Sequence, residues 1–566
     1  MTPNARPAHR GRSLAAIVVA CLACLPSLAA GIECPVPDLP RPAGDLAAFR
    51  AGLEARGLWH ASGDPARTPP PDPQVGDSWL WYVWDLGGFP VANLKPATVR
   101  GRGDHCYVVV DDDEWNVSMD QADVDRIIHA FDAASVGSFP TQGIWDLETA
   151  HFGDPPNPLD GLDRVFLFYY RFDISADGFF WIYDQFPDGT QDFASNECDV
   201  VYLATDSGQP ASDYMIGVMA HEFQHMIHFA RDADETTWVD EGLGEFAMWL
   251  YGRPDTISGF NTNPDDSLVL WGSQWADYIQ TYLWSLYCYE RYGGQPLIWN
   301  LIHNPSNGMI GYQQTLDGLG HLVSTQDVYD DWSVANFLDD PTVAGGQYGY
   351  QGDDLPPFTA WRTHTTFPAS GSSGVQAHAT DYVRLVAPPD TPTVTFNGAD
   401  TRQWRVSLIA RDPLQPKLVV EVPLDAAGDG SLSFGAAAGY QEVVISIANV
   451  HLTSSGIYTY SVEVGSTAIG EVVSPAPAVR AYPNPFNPRT ELIFTLPAAG
   501  PARLRLYTAD GSLVRTLVDD ADLPAGEHRS AWTGRDEAGR GLPSGTYLAR
   551  LETAAGVVIE KVMLVR

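Results

Sequence analysis

The sequence predicts a multidomain chain in which a mixed α+β domain is followed by two all-β sandwich domains. The chain has 566 residues, enough for three or four domains. Helical and strand patterns alternate up to about residue 370, whereas only strand patterns follow. The Ser-Pro-Ala-Pro stretch at 474–477 is typical of a linker. The predicted units are 75–370, 371–470, a linker at 471–480, and 481–566.

The first domain is expected to combine a sheet with helices. Ser118 and Gln121 fit the capping box of a helix whose apolar residues share one face. Four apolar runs rich in β-branched and aromatic residues are predicted strands: 79–84, 106–110, 165–170 and 199–203.

The second domain shows no helical period. Its strand patterns at 382–386, 404–410, 443–449 and 458–464 predict a β-sandwich. We interpret it as an accessory or carbohydrate-binding-like module.

Residues 1–30 have the pattern of a secretion signal, with a basic start, a short apolar stretch and small residues near its end. An alternative is a lipoprotein signal that would leave Cys21 lipidated. Residues 31–74 are rich in Pro and Asp and are interpreted as an N-terminal extension or prosegment. No later stretch is long and apolar enough to span a membrane, so we expect a protein that is secreted or displayed on a bacterial surface.

The chain is strongly acidic, with 33 Lys and Arg against 71 Asp and Glu and a formal net charge of −38. Such a charge argues against binding to nucleic acid. It also makes Ca²⁺ a candidate ligand of acidic loops such as 111–114, although no EF-hand spacing is present.

Four cysteines remain after the signal, and an even number in an oxidising compartment predicts two disulfide bonds. The sequence does not choose among the three pairings. The cysteines are Cys34, Cys106, Cys198 and Cys288. The residues around Cys34 also resemble the cysteine switch of matrix metalloprotease prosegments, a reading that we favour less than a disulfide.

The chemistry is predicted from one stretch, 214–250, which contains the motif His-Glu-Phe-Gln-His. On a helix, His221 and His225 lie one turn apart on one face and can both bind Zn²⁺. Glu222 is placed to accept a proton from a water on the metal. His228 lies on the same face, but we expect it to pack or face solvent.

A catalytic zinc needs a third protein ligand and an open position. The acidic helix after the motif offers Glu241 and, one turn later, Glu245. Chemistry alone allows either. We favour Glu241 as the ligand and Glu245 as a residue that holds a ligand histidine from behind.

His-Glu-x-x-His followed by a Trp-x-x-Glu-Gly helix resembles the gluzincin metalloproteases, among them secreted bacterial peptidases similar to hyicolysin. The resemblance implies a zincin-like catalytic domain at 75–370. It implies the ligands His221, His225 and Glu241 and the general base Glu222. It also implies that a strand such as 199–203 pairs with extended substrate, with an ordinary core strand as the alternative. Gluzincins often stabilise the oxyanion with a Tyr or His from a later helix, for which Tyr278 and Tyr282 are candidates, although core packing is the commoner role.

Residues 481–566 begin with Tyr-Pro-Asn-Pro-Phe-Asn-Pro and continue in alternating strands. They resemble the immunoglobulin-like C-terminal domain of flagellar hook-capping proteins, and similar domains serve as type IX secretion sorting signals. The resemblance implies that secretion or cell-surface machinery is a partner. The alternative is a generic β-sandwich spacer.

The sequence as a whole predicts a secreted zinc endopeptidase acting on a protein or peptide substrate. The alternative from another class is a non-catalytic surface adhesion or binding protein that keeps a zincin scaffold.

Overall fold

A computed structural model describes residues 70–566 except for 86–90, 157–158, 175, 191–192, 322, 353–354, 465–477, 483, 485, 487–488, 497–498, 509–510, 525, 555 and 566. The predicted signal, most of the predicted extension with Cys34, and most of the predicted linker therefore lie outside the described residues. No helix in the described ranges has both the length and the hydropathy needed to cross a membrane.

The first domain contains a six-stranded sheet. Its strands are β1 (Ser78–Asp85), β2 (Val91–Arg102), β3 (Cys106–Asp111), β4 (Val165–Tyr170), β5 (Gly178–Phe180) and β6 (Val200–Ala204). Their order is β1-β2-β3-β4-β6-β5. The central strands β3, β4 and β6 run parallel, whereas β5 pairs antiparallel with β6 at the edge. Every residue of β3, β4 and β6 is buried, as expected for parallel strands covered on both faces.

The four predicted strands of this domain are confirmed, and of the two roles left open for 199–203 the structure shows the ordinary core strand rather than the substrate-pairing strand. That segment forms β6, an interior strand with β4 on one side and β5 on the other. Its backbone groups are used within the sheet, so it cannot pair with an added peptide. The edge strand is β5, whose sequence Gly-Phe-Phe is too short to stand out as a strand.

Eight α-helices of four residues or more accompany the sheet in the described ranges. They are α1 (Gln121–Asp132), α2 (Ile144–Phe152), α3 (Asp213–Arg231), α4 (Thr237–Tyr251), α5 (Trp275–Arg291), α6 (Gln295–Ile302), α7 (Gly308–Leu319) and α8 (Thr325–Leu338).

The predicted cap of α1 is shifted. Asp120 rather than Ser118 is the N-cap, and its carboxylate accepts from the amides of Ala122 and Asp123. Asp123 completes the capping box by accepting from the Asp120 amide. Ser118 is occupied elsewhere, because its hydroxyl donates to Glu114.

A β-sandwich follows the helices. Its strands are β7 (Arg362–His364), β8 (Ala369–Val375), β9 (Ala379–Val386), β10 (Pro392–Gly398), β11 (Trp404–Asp412), β12 (Gln415–Glu421), β13 (Asp429–Ser433), β14 (Glu442–Asn449) and β15 (Gly456–Val464). They form two sheets, in the orders β13-β10-β15-β8 and β12-β11-β14-β9-β7, around one hydrophobic core. Since β7 pairs with β9, this sandwich starts before residue 371.

The C-terminal segment also consists of two sheets around its own core. One sheet has the order β16-β17-β20 and the other β19-β18-β21-β22. The strands are β16 (Ala478–Tyr482), β17 (Thr490–Leu496), β18 (Gly500–Thr508), β19 (Leu513–Leu523), β20 (Gly526–Trp532), β21 (Gly545–Thr553) and β22 (Gly556–Leu564). Multidomain organisation, with an α+β part followed by two β-rich parts, is therefore confirmed.

The prediction of two disulfide bonds is wrong, since Cys106, Cys198 and Cys288 are free, buried thiols. Cys106 begins β3 and Cys198 precedes β6, with β4 between these strands. Two strand spacings amount to roughly 9–10 Å, beyond the reach of a disulfide. Burial raises the pKa of all three thiols well above the ordinary value, which keeps them unreactive.

The acidic loop 111–114 has cationic partners of its own. Asp111 pairs with Lys95 at 2.6 Å, Asp112 with Arg100 at 2.7 Å, and Glu114 with Arg171 at 3.1 Å. These pairs leave little reason for a calcium ion there, and calcium binding stays a prediction.

Candidate metal centre

The two histidines lie on α3, a helix that is buried on all sides over most of its length. Ser212 caps its start by accepting from the Met215 amide, and every residue from Met215 to Phe229 is buried. A helix of this kind must lie inside the protein. The polar motif is therefore placed in a largely water-free interior by the residues around it.

The acidic helix α4 packs closely against α3 at one glycine and against α5 at another. A Cβ on Gly244 would lie 2.7–2.9 Å from three atoms of the His221 ring. A Cβ on Gly242 would lie 2.8 Å from the Thr281 carbonyl oxygen of α5. The absent side chains let α4 approach both neighbours, which brings Glu241 to the histidines. The helix ends at Gly252 in the left-handed conformation.

The structure brings together the three predicted metal ligands. Glu241 Oε2 is 3.3 Å from His221 Nε2 and 3.6 Å from His225 Nε2. Among the described residues this is the one group of three or more His, Cys, Asp or Glu side chains whose ligand atoms lie within 4.8 Å of one another. His221 is fully buried, and His225 and Glu241 are each 7% exposed.

These separations fit a shared zinc ion. Tetrahedral zinc with bonds of 2.0–2.2 Å holds its ligand atoms about 3.3–3.5 Å apart. Direct hydrogen bonds between charged groups are shorter, at about 2.7–2.9 Å. Both nitrogens of His225 are buried and make no hydrogen bond with the described residues. The donor set of two imidazoles and one carboxylate is also that of catalytic zinc sites.

Glu222 is fully buried beside the triad, and neither of its carboxyl oxygens has a hydrogen-bond partner among the described residues. Burial raises the pKa of Glu222, although His221 and His225 act against it. The edge strand β5 crosses the helix at this point, because a Cβ on Gly178 would lie 3.0 Å from Glu222 Cγ.

Asp240 is a further residue at the candidate site that the sequence did not predict. Its Oδ1 lies 3.1 Å from His225 Nδ1 and 2.7 Å from His228 Nδ1, so it stands behind both rings. Although it lies within 3.1 Å, the Asp240 carboxylate makes no hydrogen bond with His225 Nδ1. Burial raises the pKa of Asp240, but the two histidines outweigh it and hold the pKa well below normal. Its position directly before Glu241 was the available signal.

Glu245 lies behind His221, with Oε1 3.5 Å from Nδ1. This distance is too long for a hydrogen bond. Among the ion pairs of the described residues, Glu245 is the acidic partner of His221 Nδ1. Asp255 interacts electrostatically with Glu245 and His221. Burial, together with Glu245, raises the pKa of Asp255 to about 8. No sequence motif marks Asp255.

The protonation of the triad follows its contacts. Burial lowers the pKa of His221, but Glu241 and Glu245 outweigh it and raise that pKa to about 9. Burial raises the pKa of Glu241, but the histidine partners lower it to about 2. Glu241 is thus ionised. When no metal is bound, His221 and His225 are protonated and balance its charge.

Tyr278 packs in an aromatic group at the start of α5. Its ring lies 4.8 Å from that of Trp271 and 6.3 Å from that of Trp275. This position accounts for the burial of Tyr278 without reference to the triad. The oxyanion role stays a prediction.

We expect Gly244→Ala to weaken zinc binding, because its methyl group would push the His221 ring away from the triad. Changing a residue that positions a metal ligand typically lowers metal affinity by about 10–100-fold. Competition titration with a chromophoric zinc chelator measures the effect. Gly318→Ala on α7 is the matched control, because nothing lies within 4 Å of its added methyl group. Equal affinities in the two variants would refute the importance of this close approach.

No protein-family model matches the chain, and no curated protein matches it. Among solved structures, PorZ of Porphyromonas gingivalis, a surface component of the type-IX secretion system, aligns at 15% identity over 28% of this chain and 23% of PorZ, with a TM-score of 0.13. Latent PorU of the same organism aligns at 12% identity over 37% of this chain and 19% of PorU, with a TM-score of 0.18. PliG of Salmonella Typhimurium, a lysozyme inhibitor, aligns at 11% identity over 18% of this chain and 96% of PliG, with a TM-score of 0.13. The chain thus spans less than a quarter of PorZ and of PorU, and at these scores the alignments carry no argument.

Proposed function

We propose that the protein is a secreted zinc-dependent endopeptidase of gluzincin type, with His221, His225 and Glu241 as metal ligands and Glu222 as general base. The observation that carries the proposal is the buried triad with ligand atoms 3.3 and 3.6 Å apart beside an unpartnered carboxylate. Burying an ionisable group without hydrogen bonds lowers the stability of the fold, and such groups are concentrated at functional sites.

The residues of the site have separate roles in the proposed mechanism. When bound, zinc would polarise a peptide carbonyl and increase the acidity of a water molecule. Glu222 accepts a proton from the attacking water and then delivers it to the leaving amine, and its raised pKa suits both transfers. Asp240 and Glu245 place a carboxyl group behind each imidazole, at 3.1 Å from His225 Nδ1 and 3.5 Å from His221 Nδ1, and support the two rings electrostatically. The edge strand β5 offers backbone groups to an extended peptide.

The test is hydrolysis of denatured casein by the purified full-length chain. We expect activity that is lost in 1,10-phenanthroline and restored by an equimolar amount of Zn²⁺. Zinc bound at one equivalent without hydrolysis of casein, gelatin or a peptide library would favour the non-catalytic surface protein instead.

Zinc affinity should rise with pH. Both imidazoles must release protons to bind metal, and the pKa of His221 is raised to about 9 while that of His225 is also raised. Below pH 9, each proton released adds up to about tenfold in apparent affinity per pH unit. Titrations at pH 6, 7 and 8 measure the slope. If the zinc affinity did not change between pH 6 and pH 8, the protonation states described above would be wrong.

We further propose that residues 478–566 direct the protein to secretion or surface machinery. The support is their sequence resemblance to sorting domains and their separate hydrophobic core. We expect deletion of 478–566 to leave the peptidase activity of the purified protein unchanged and to abolish export. Lost activity in a protein that retains its circular dichroism spectrum and melting temperature would place this domain within the catalytic unit.

A further inference from the structure

One sheet of the C-terminal domain turns a mixed apolar and basic face to solvent. Strand register sets Tyr507 beside Leu548 and Leu548 beside Lys561. The next row aligns Arg505, Arg550 and Ile559. The alternate residues of these strands are buried in the domain core, so the two rows point outward. We call this surface the basic face, with these members: Arg503, Arg505, Tyr507, Leu548, Arg550, Glu552, Val557, Ile559, Lys561 and Met563.

The apolar part of the basic face is unusually exposed. Val557, Ile559 and Met563 retain 52%, 55% and 46% of their surface. Beside them lies a depression of about 280 Å³, lined by Tyr507, Gly511, Leu548, Arg550 and Ile559. Val557 and Ile559 are neighbours on one face of β22, and Lys561 separates them from Met563. Exposed apolar side chains rimmed by polar residues are typical of an interaction surface.

The charge of the basic face contrasts with that of the chain. Residues 478–566 hold 11 of the 33 Lys and Arg but only 10 of the 71 Asp and Glu, so their formal charge is +1 in a chain of −38. Three of the four cations of the face pair with two carboxylates. Arg503 and Arg505 pair with Asp519, and Arg505 and Arg550 pair with Glu552. Exposed ion pairs of this kind contribute little, so a partner's carboxylates can replace them.

We propose that the basic face is the docking surface of the C-terminal domain for a protein partner that inserts an apolar side chain between carboxylates. The depression has room for one large side chain, and the adjacent guanidinium groups of Arg505 and Arg550 suit carboxylates. The proposal rests on the sorting function proposed for this domain and names the surface that performs it.

Export by a bacterium with a type IX secretion system tests the proposal, with the full-length chain as the protein. We expect Arg505→Glu/Arg550→Glu to lower the exported fraction at least tenfold, and Ile559→Ser to lower it as well. The matched control is Arg529→Glu/Arg540→Glu, which makes the same charge change at exposed arginines outside the basic face. We expect normal export of the control, and thermal melting confirms the fold of each variant.

The outcomes separate this inference from the sorting function. If deletion of 478–566 blocks export while the basic-face variants are exported normally, the docking surface is wrong and the sorting function stands. If the deletion variant is exported normally, both are wrong. If the intact chain binds phosphatidylglycerol vesicles through these residues, and the variants lose that binding in parallel with export, the occupant is an anionic lipid and the protein partner is overturned.

Discussion

Glu222→Gln should retain one zinc per chain and lose peptidase activity. The amide has nearly the same size as the carboxyl group, and Glu222 makes no hydrogen bond with the described residues that the change would break. An amide cannot accept the proton of the attacking water, and loss of a general base typically costs about 10²–10⁴-fold in rate. The measurement is kcat on a fluorogenic peptide at saturating substrate, with zinc content from elemental analysis.

Glu148→Gln on α2 provides the control. Glu148 is also buried, and its oxygens lack hydrogen bonds among the described residues. Burial raises its pKa well above normal, although His225 acts against this shift. A neutral acid exchanged for an amide should change kcat little. Near-normal turnover in Glu222→Gln, or an equal loss in both variants, would remove Glu222 from the mechanism.

Glu241→Ala should lose zinc, whereas Glu245→Ala should only weaken its binding. Glu241 lies 3.3 and 3.6 Å from the two imidazole Nε2 atoms, while Glu245 faces the outer nitrogen of one ring. Two histidines alone cannot hold a catalytic zinc tightly, so Glu241→Ala should contain no zinc after dialysis. Glu245→Ala should lose about 10–100-fold in affinity.

Zinc titration of both purified variants, with circular dichroism as a check on folding, separates the two roles. Zinc lost in Glu245→Ala and retained in Glu241→Ala would require the roles to be exchanged.

The motif was predictable from the sequence because its spacing is local. His221 and His225 are one helical turn apart, and Glu241 follows on the next helix, so few arrangements of these elements are available. Asp240 was not predicted. Its role depends on how α4 crosses α3, and that crossing is set by Gly244 against the His221 ring.

The sequence predicted where the strands of the first domain lie along the chain, but not which strands are neighbours in the sheet. The runs that form β3, β4 and β6 are apolar throughout, which is typical of buried parallel strands. Pairing order depends on contacts far apart in the chain, so the sequence could not decide whether 199–203 pairs with substrate or is an ordinary core strand. The disulfide prediction failed for the same reason, because β4 lies between Cys106 and Cys198.

The most direct test of the central claim is a crystal of the full-length protein measured on both sides of the zinc absorption edge. We expect one anomalous peak bounded by His221 Nε2, His225 Nε2 and Glu241 Oε2, at about 2.0–2.2 Å from each, with a fourth position open toward Glu222. No peak at this site in zinc-saturated crystals, or a zinc there closed by a fourth protein ligand, would contradict a catalytic metal centre.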